Sequence, residues 1–138
     1  MKSRLHHVGI IVPDEEQLSD LMSLLGLEPG RRQYVPEYEA DCCFSEGEGA
    51  AIEFIVPRQG KLAAFNRGTG GLHHIALEVP DLAAAQRELA EKDVKLLETT
   101  PVDAGDIRIN FLPPIYSRGV IVEFVEKKAA MEEPGNGQ

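Results

Sequence analysis

From Leu5 to Val12 the chain is rich in β-formers and is stopped by Pro13, which predicts a strand. A period of two puts His7, Gly9 and Ile11 on one face and His6, Val8, Ile10 and Val12 on the other. The spacing then changes. Leu18, Leu21, Met22 and Leu25 recur at helical intervals, predicting a helix over Glu15–Leu25. Asp14 is placed to cap it, Glu15 and Glu16 lie where the helix dipole favours anions, Gln17 takes the third position of a capping box, and Gly26 follows the last turn. Strands are predicted over Leu27–Val35, Glu39–Ser45 and Ala50–Val56, with breaks at Pro36, at the run Glu46-Gly47-Glu48-Gly49, and at Pro57. Lys61–Asn66 reads as a short helical piece and Arg67–Gly71 as a glycine-rich link.

The second half repeats this plan. Leu72–Val79 is a predicted strand with His74, Ala76 and Glu78 on one face. Asp81 caps a helix running to about Lys92, with Leu82, Ala85 and Leu89 inward. Val94–Leu97 reads as a short strand, Thr99–Gly105 as a loop, and Asp106–Leu112 and Gly119–Glu126 as the last two strands. Lys127–Gln138 has no periodicity and is expected to be a disordered tail.

The two halves are related in sequence as well as in plan. Leu5–Asp14 reads LHHVGIIVPD and Leu72–Asp81 reads LHHIALEVPD, with His-His and Val-Pro-Asp at the same offsets. Later, IEFIV at Ile52–Val56 is echoed by VEFVE at Val122–Glu126. The expectation is an α+β fold of two tandem βαβββ modules, about 5–57 and 71–126, joined by a link over 58–70 and forming one domain over 1–126.

Composition narrows the partners. The chain has 138 residues, 43% of them hydrophobic, which suffices for a core at this size. A net charge of −9 without a basic run argues against nucleic acid and against anionic membrane surfaces. No apolar stretch approaches the roughly 20 residues of a membrane-spanning helix, and strand pattern by Leu5 leaves no room for a signal peptide. Cys42 and Cys43 are adjacent, so their side chains take opposite faces of a strand and rarely bridge; a reduced, cytoplasmic chain is expected.

The chemistry lies in the repeated polar positions. A single strand histidine is usually a polar tip on a sheet face, and a single glutamate usually points to water. Here His7 and His74 share an offset in the repeat, and Glu53 and Glu123 share another. If the modules are related by a pseudo-twofold, the four converge. Imidazole with carboxylate suits Mn, Fe, Co, Ni or Zn, and two carboxylates among apolar strand residues call for a cation. His6 and His73 fall on the opposite faces and are expected to make core or interface contacts.

At these residues the chain resembles the vicinal oxygen chelate superfamily, which includes glyoxalase I, extradiol dioxygenases and antibiotic-resistance proteins. The resemblance runs from about Leu5 to Glu126. It is greatest to the methylmalonyl-CoA epimerases, through HHVGIIVPD, YVPE at Tyr34–Glu37, IEFIVP, GGLHHIALEVPDL, INFLPP and GVIVEFVE. It implies paired βαβββ modules whose mixed sheet curls around a divalent metal, Co2+ foremost and Ni2+, Mn2+, Zn2+ or Fe2+ otherwise. The implied ligands are His7, Glu53, His74 and Glu123. The implied activity is removal of an α-proton beside a carbonyl, with Glu123 as ligand and base and, as its partner, Glu37, at the position of a proposed acid/base, or Glu53. Acyl-CoA or a related thioester or carbonyl acid would be the substrate, and a homodimer the assembly. Epimerases commonly carry His-Pro-Lys before the final strand, where this chain reads Pro113-Pro114-Ile115-Tyr116, leaving Arg118 as the nearby cation. Other members of the superfamily supply the alternatives: glyoxalase I (lactoylglutathione lyase) with the same ligands, an Fe(II) dioxygenase using His7, His74 and Glu123, or a drug-binding protein without catalysis.

Overall fold

A computed structural model describes residues 1–129. Its elements follow the predicted order twice. The first module is β1 (Arg4–Ile11), α1 (Glu15–Leu25), β2 (Pro29–Val35), β3 (Ala40–Ser45) and β4 (Ala51–Pro57). The second is β5 (Gly71–Glu78), α2 (Leu82–Glu91), β6 (Val102–Ala104), β7 (Ile107–Leu112) and β8 (Val122–Lys127).

By their contacts the residues fall into two units, Leu5–Ala76 and Met1–Arg4 with Leu77 onward. In the first, the sheet order is β2-β3-β4-β1-β5. Strands β2, β3 and β4 form an antiparallel meander, and β1 pairs in parallel with β4, setting His7 opposite Ala51, Gly9 opposite Glu53 and Ile11 opposite Ile55. Strand β4 therefore has a neighbour on either side, and its residues Glu53–Val56 are all buried. One face of this sheet carries Val12, Cys43, Phe54 and Val56 against Leu18 and Met22 of α1. The other gathers Ile11, Ala40, Cys42 and Ile55. The adjacent cysteines thus serve two separate apolar clusters and remain free thiols.

Local sequence explains the helix ends. The Asp14 carboxylate accepts the Gln17 backbone N–H at 2.9 Å, and the Gln17 side chain returns a hydrogen bond to the other Asp14 oxygen at 3.0 Å. The latter differs from a standard capping box, in which the partner reaches the cap's backbone. Gly26, at φ 70°, closes α1: Leu27 N–H donates to the Met22 carbonyl and Gly26 N–H to that of Ser23. In the second module Asp93, at φ 64°, takes the left-handed position beyond α2. Asp81 caps α2 by accepting the Ala84 N–H at 3.1 Å. Replacing Asp81 with Ala is expected to cost about 1 kcal/mol, read as a fall of roughly 3 °C in Tm by circular dichroism.

In the second unit, β7 pairs antiparallel with both β6 and β8. Three predictions are corrected there. Val94–Leu97 is not a strand, and the short strand lies at Val102–Ala104, inside the predicted loop. The reason is Asn110, fully buried on β7. Leu97 makes one ladder-like bond to the Phe111 carbonyl, but the Asn110 side chain then holds both the N–H and the carbonyl of Glu98, at 2.9 Å each. A side chain stands where a paired strand's backbone would be. The last strand starts at Val122 rather than Gly119 and includes Lys127, while Lys128 N–H still bonds the Asp106 carbonyl at 2.9 Å. Lys127 therefore belongs to a strand rather than to the expected tail, of which 130–138 lie outside the described residues.

Candidate metal centre

The first unit brings three of the expected ligands together. The alternation of β1 buries His7, Gly9 and Ile11, and that of β5 buries His74 and Ala76, as the period of two requires. Glu53 comes from β4, beside Gly9 in the ladder. His7 is 1% exposed, His74 4% and Glu53 7%, which are unusual figures for polar side chains. Their donor atoms converge. His7 Nε2 lies 3.1 Å from His74 Nε2, and Glu53 Oε1 lies 3.3 Å from the first and 3.5 Å from the second.

Gly9 makes room for this. A Cβ on Gly9 would run into the His74 imidazole, meeting Nε2 at 2.8 Å and the neighbouring ring atoms closer still. The repeat-equivalent residue is Ala76.

The electrostatics agree with a cation site. Burial alone would raise the Glu53 carboxyl, but hydrogen bonds and charge from His7 and His74 outweigh it and bring the group to about 2. Three lone-pair donors aimed at one another are tolerated in an apolar setting only when positive charge is shared among them, as imidazole protons or as a divalent cation. Bonds of about 2.1 Å to one ion would place adjacent donors roughly 3.0–3.4 Å apart. The observed separations of 3.1, 3.3 and 3.5 Å match this closely. The residues therefore fit a divalent metal.

Glu123 is 4% exposed on β8, opposite Phe111, and belongs to the second unit. Glu37 is exposed in the turn between β2 and β3. That turn is anchored by Arg58, whose backbone N–H donates to the Glu39 carbonyl at 2.9 Å. The Arg58 guanidinium forks onto Asp41 at 2.9 and 3.0 Å and stacks 4.3 Å from the Tyr34 ring centroid.

Sequence reasoning underrated His6 and His73. Each reaches the inner histidine beside it: His6 Nδ1 lies 2.7 Å from His7 Nδ1, and His73 Nδ1 lies 2.9 Å from His74 Nδ1. The signal was the repeated His-His doublet itself. No helix of the described residues is long and apolar enough to cross a membrane.

Residues 6–111 match the family described as the Glyoxalase/Bleomycin resistance protein/Dioxygenase superfamily. Methylmalonyl-CoA epimerase of Bos taurus is 31% identical over 126 residues, covering 87% of this chain and 72% of that protein. Ethylmalonyl-CoA/methylmalonyl-CoA epimerase of Cereibacter sphaeroides is 32% identical over 130 residues, covering 89% and 97%. A solved methylmalonyl-CoA epimerase in complex with methylmalonyl-CoA and NH4+ superposes with a TM-score of 0.79 at 25% identity, over 94% of this chain and 97% of that one. With its doubled βαβββ order, its buried histidine–glutamate centre and these relatives, the chain belongs to the Glyoxalase/Bleomycin resistance protein/Dioxygenase superfamily, among the relatives of its methylmalonyl-CoA epimerases.

Proposed function

We propose that this protein is a metal-dependent epimerase that exchanges the proton α to a carbonyl, on methylmalonyl-CoA or a similar acyl-CoA. The observation that carries the reading is the convergence of His7, Glu53 and His74, in a chain whose relatives bear the epimerase name. Those three hold the cation, and the repeat equivalence of Glu123 with Glu53 assigns Glu123 as the fourth ligand. A bound divalent ion supplies Lewis-acid stabilisation of the negative charge that develops on the substrate oxygen as the α-proton leaves. Epimerisation then needs two groups that hold or deliver a proton on opposite faces of the substrate. Glu123 serves one face. Glu37, on its anchored turn, serves the other, where exposure lets it exchange protons with water. Co2+ is the first metal to test, followed by Ni2+, Mn2+, Zn2+ and Fe2+. The reading includes a homodimer and, with two free buried thiols, a reducing cytoplasm.

The test is solvent deuterium incorporation into methylmalonyl-CoA, followed by NMR. Protein stripped with a chelator is expected to lose exchange and to regain it on adding Co2+. Turnover of the glutathione hemithioacetal of methylglyoxal, without exchange on methylmalonyl-CoA, would move the assignment to lactoylglutathione lyase.

A further inference from the structure

The chain contains four histidines, and all four stand in one row. Successive ring centroids from His6 to His7 to His74 to His73 are 5.0, 5.2 and 5.1 Å apart, each pair edge to face. The central contact is Nε2 to Nε2, and both outer contacts are Nδ1 to Nδ1. Neighbours on a strand point to opposite faces, yet these doublets meet because Nδ1 is the ring nitrogen nearest the backbone. Nε2 of His7 and of His74, at the far end of each ring, is left to face the Glu53 carboxylate, 3.3 and 3.5 Å away.

A neutral imidazole carries one proton. A ring that offers its Nε2 lone pair to a cation must hold that proton on Nδ1, and a buried N–H needs an acceptor. The Nδ1 of the preceding histidine stands at hydrogen-bond distance, 2.7 Å from His7 and 2.9 Å from His74, as an acceptor. We propose that His6 and His73 are positioning residues, accepting the Nδ1–H of His7 and His74 and so fixing the tautomer in which both Nε2 lone pairs face the cation. The row also requires His6 and His73 to carry their own protons on Nε2. Phe65 helps to hold the outer end, its ring edge to face with His73 at 5.1 Å. This inference rests on the reading of His7 and His74 as ligands.

The test is Co2+ affinity, measured by competition with a chromophoric chelator. His6→Phe keeps a flat ring but removes the acceptor, and is expected to weaken Co2+ binding by about 10–100-fold. His73→Phe, at the equivalent offset, should do the same. His6→Asn restores an acceptor near the position of Nδ1 and should recover most of the loss, which a role in packing alone would not allow. Independently of any variant, 15N spectra of the wild-type protein loaded with Zn2+ should show His7 and His74 protonated on Nδ1, and His6 and His73 on Nε2. Unchanged affinity in both Phe variants, or His7 and His74 protonated on Nε2 in the loaded protein, would overturn the proposal. A wild-type chain that binds no divalent ion would sink the ligand reading and this inference with it.

Discussion

Glu123→Gln is expected to lower the rate of epimerisation by on the order of 10³-fold or more, since on the proposed reading it removes a general base and weakens a ligand. Gln matches Glu in shape, so the change is confined to charge and basicity. The site can accept it, since Glu123 is 4% exposed between the buried Val122 and Phe124 and β8 keeps its pairing with β7. The melting temperature should therefore move little, while epimerisation collapses at saturating substrate and saturating Co2+. Saturating the metal separates the two roles: whatever loss survives belongs to proton transfer, and whatever disappears belongs to ligation. A rate within threefold of wild type would remove Glu123 from the proton transfer.

Gly9→Ala should be nearly as damaging, though Gly9 has no side chain to contribute. The added methyl would overlap the His74 ring, and the ring can yield only by leaving the point where it meets His7 and Glu53. Divalent metal affinity should drop by on the order of 100-fold, comparable to other losses of ligand support, with an overpacking cost of about 1–3 kcal/mol in stability. The decisive measurement is a double-mutant cycle with His74→Ala. If Gly9 acts through the His74 ring, the glycine change should have almost no further effect on affinity once that ring is gone. Additive losses would mean that the methyl disturbs β1 itself.

How legible was this in the sequence? The modules were, because period-two alternation, helix caps and prolines agree with one another along Leu5–Pro57, and the repeat then carries the reading into the second half. The convergence of His7, Glu53 and His74 was legible for the same reason: equal offsets in a repeat survive any uncertainty about strand ends. The misreadings share a physical cause. Val94–Leu97 has the composition of a strand, and nothing local reveals that a buried asparagine from β7 takes the hydrogen bonds of Glu98. The roles of His6 and His73 were hidden by alternation itself, which sends neighbours to opposite faces but does not forbid contact through the ring atom nearest the backbone. Gly9 looked like a neutral strand position until the ring above it was seen.

The parallel pairing of β1 with β4 has a consequence for how the centre comes into being. Strands β2, β3 and β4 are joined by short turns and pair as a meander. Such hairpins close in microseconds. Strand β1 reaches β4 only after α1 and both intervening strands have been looped out, since His7 pairs with Ala51, and β5 then takes its place beside β1. Long-range pairings of this kind dominate the folding time. On this order Glu53 is seated early and both histidines arrive late, so the nascent chain has no centre to offer an ion. A cation that recognises only the finished arrangement leaves the folding rate unchanged and slows unfolding, acting as a latch rather than a template.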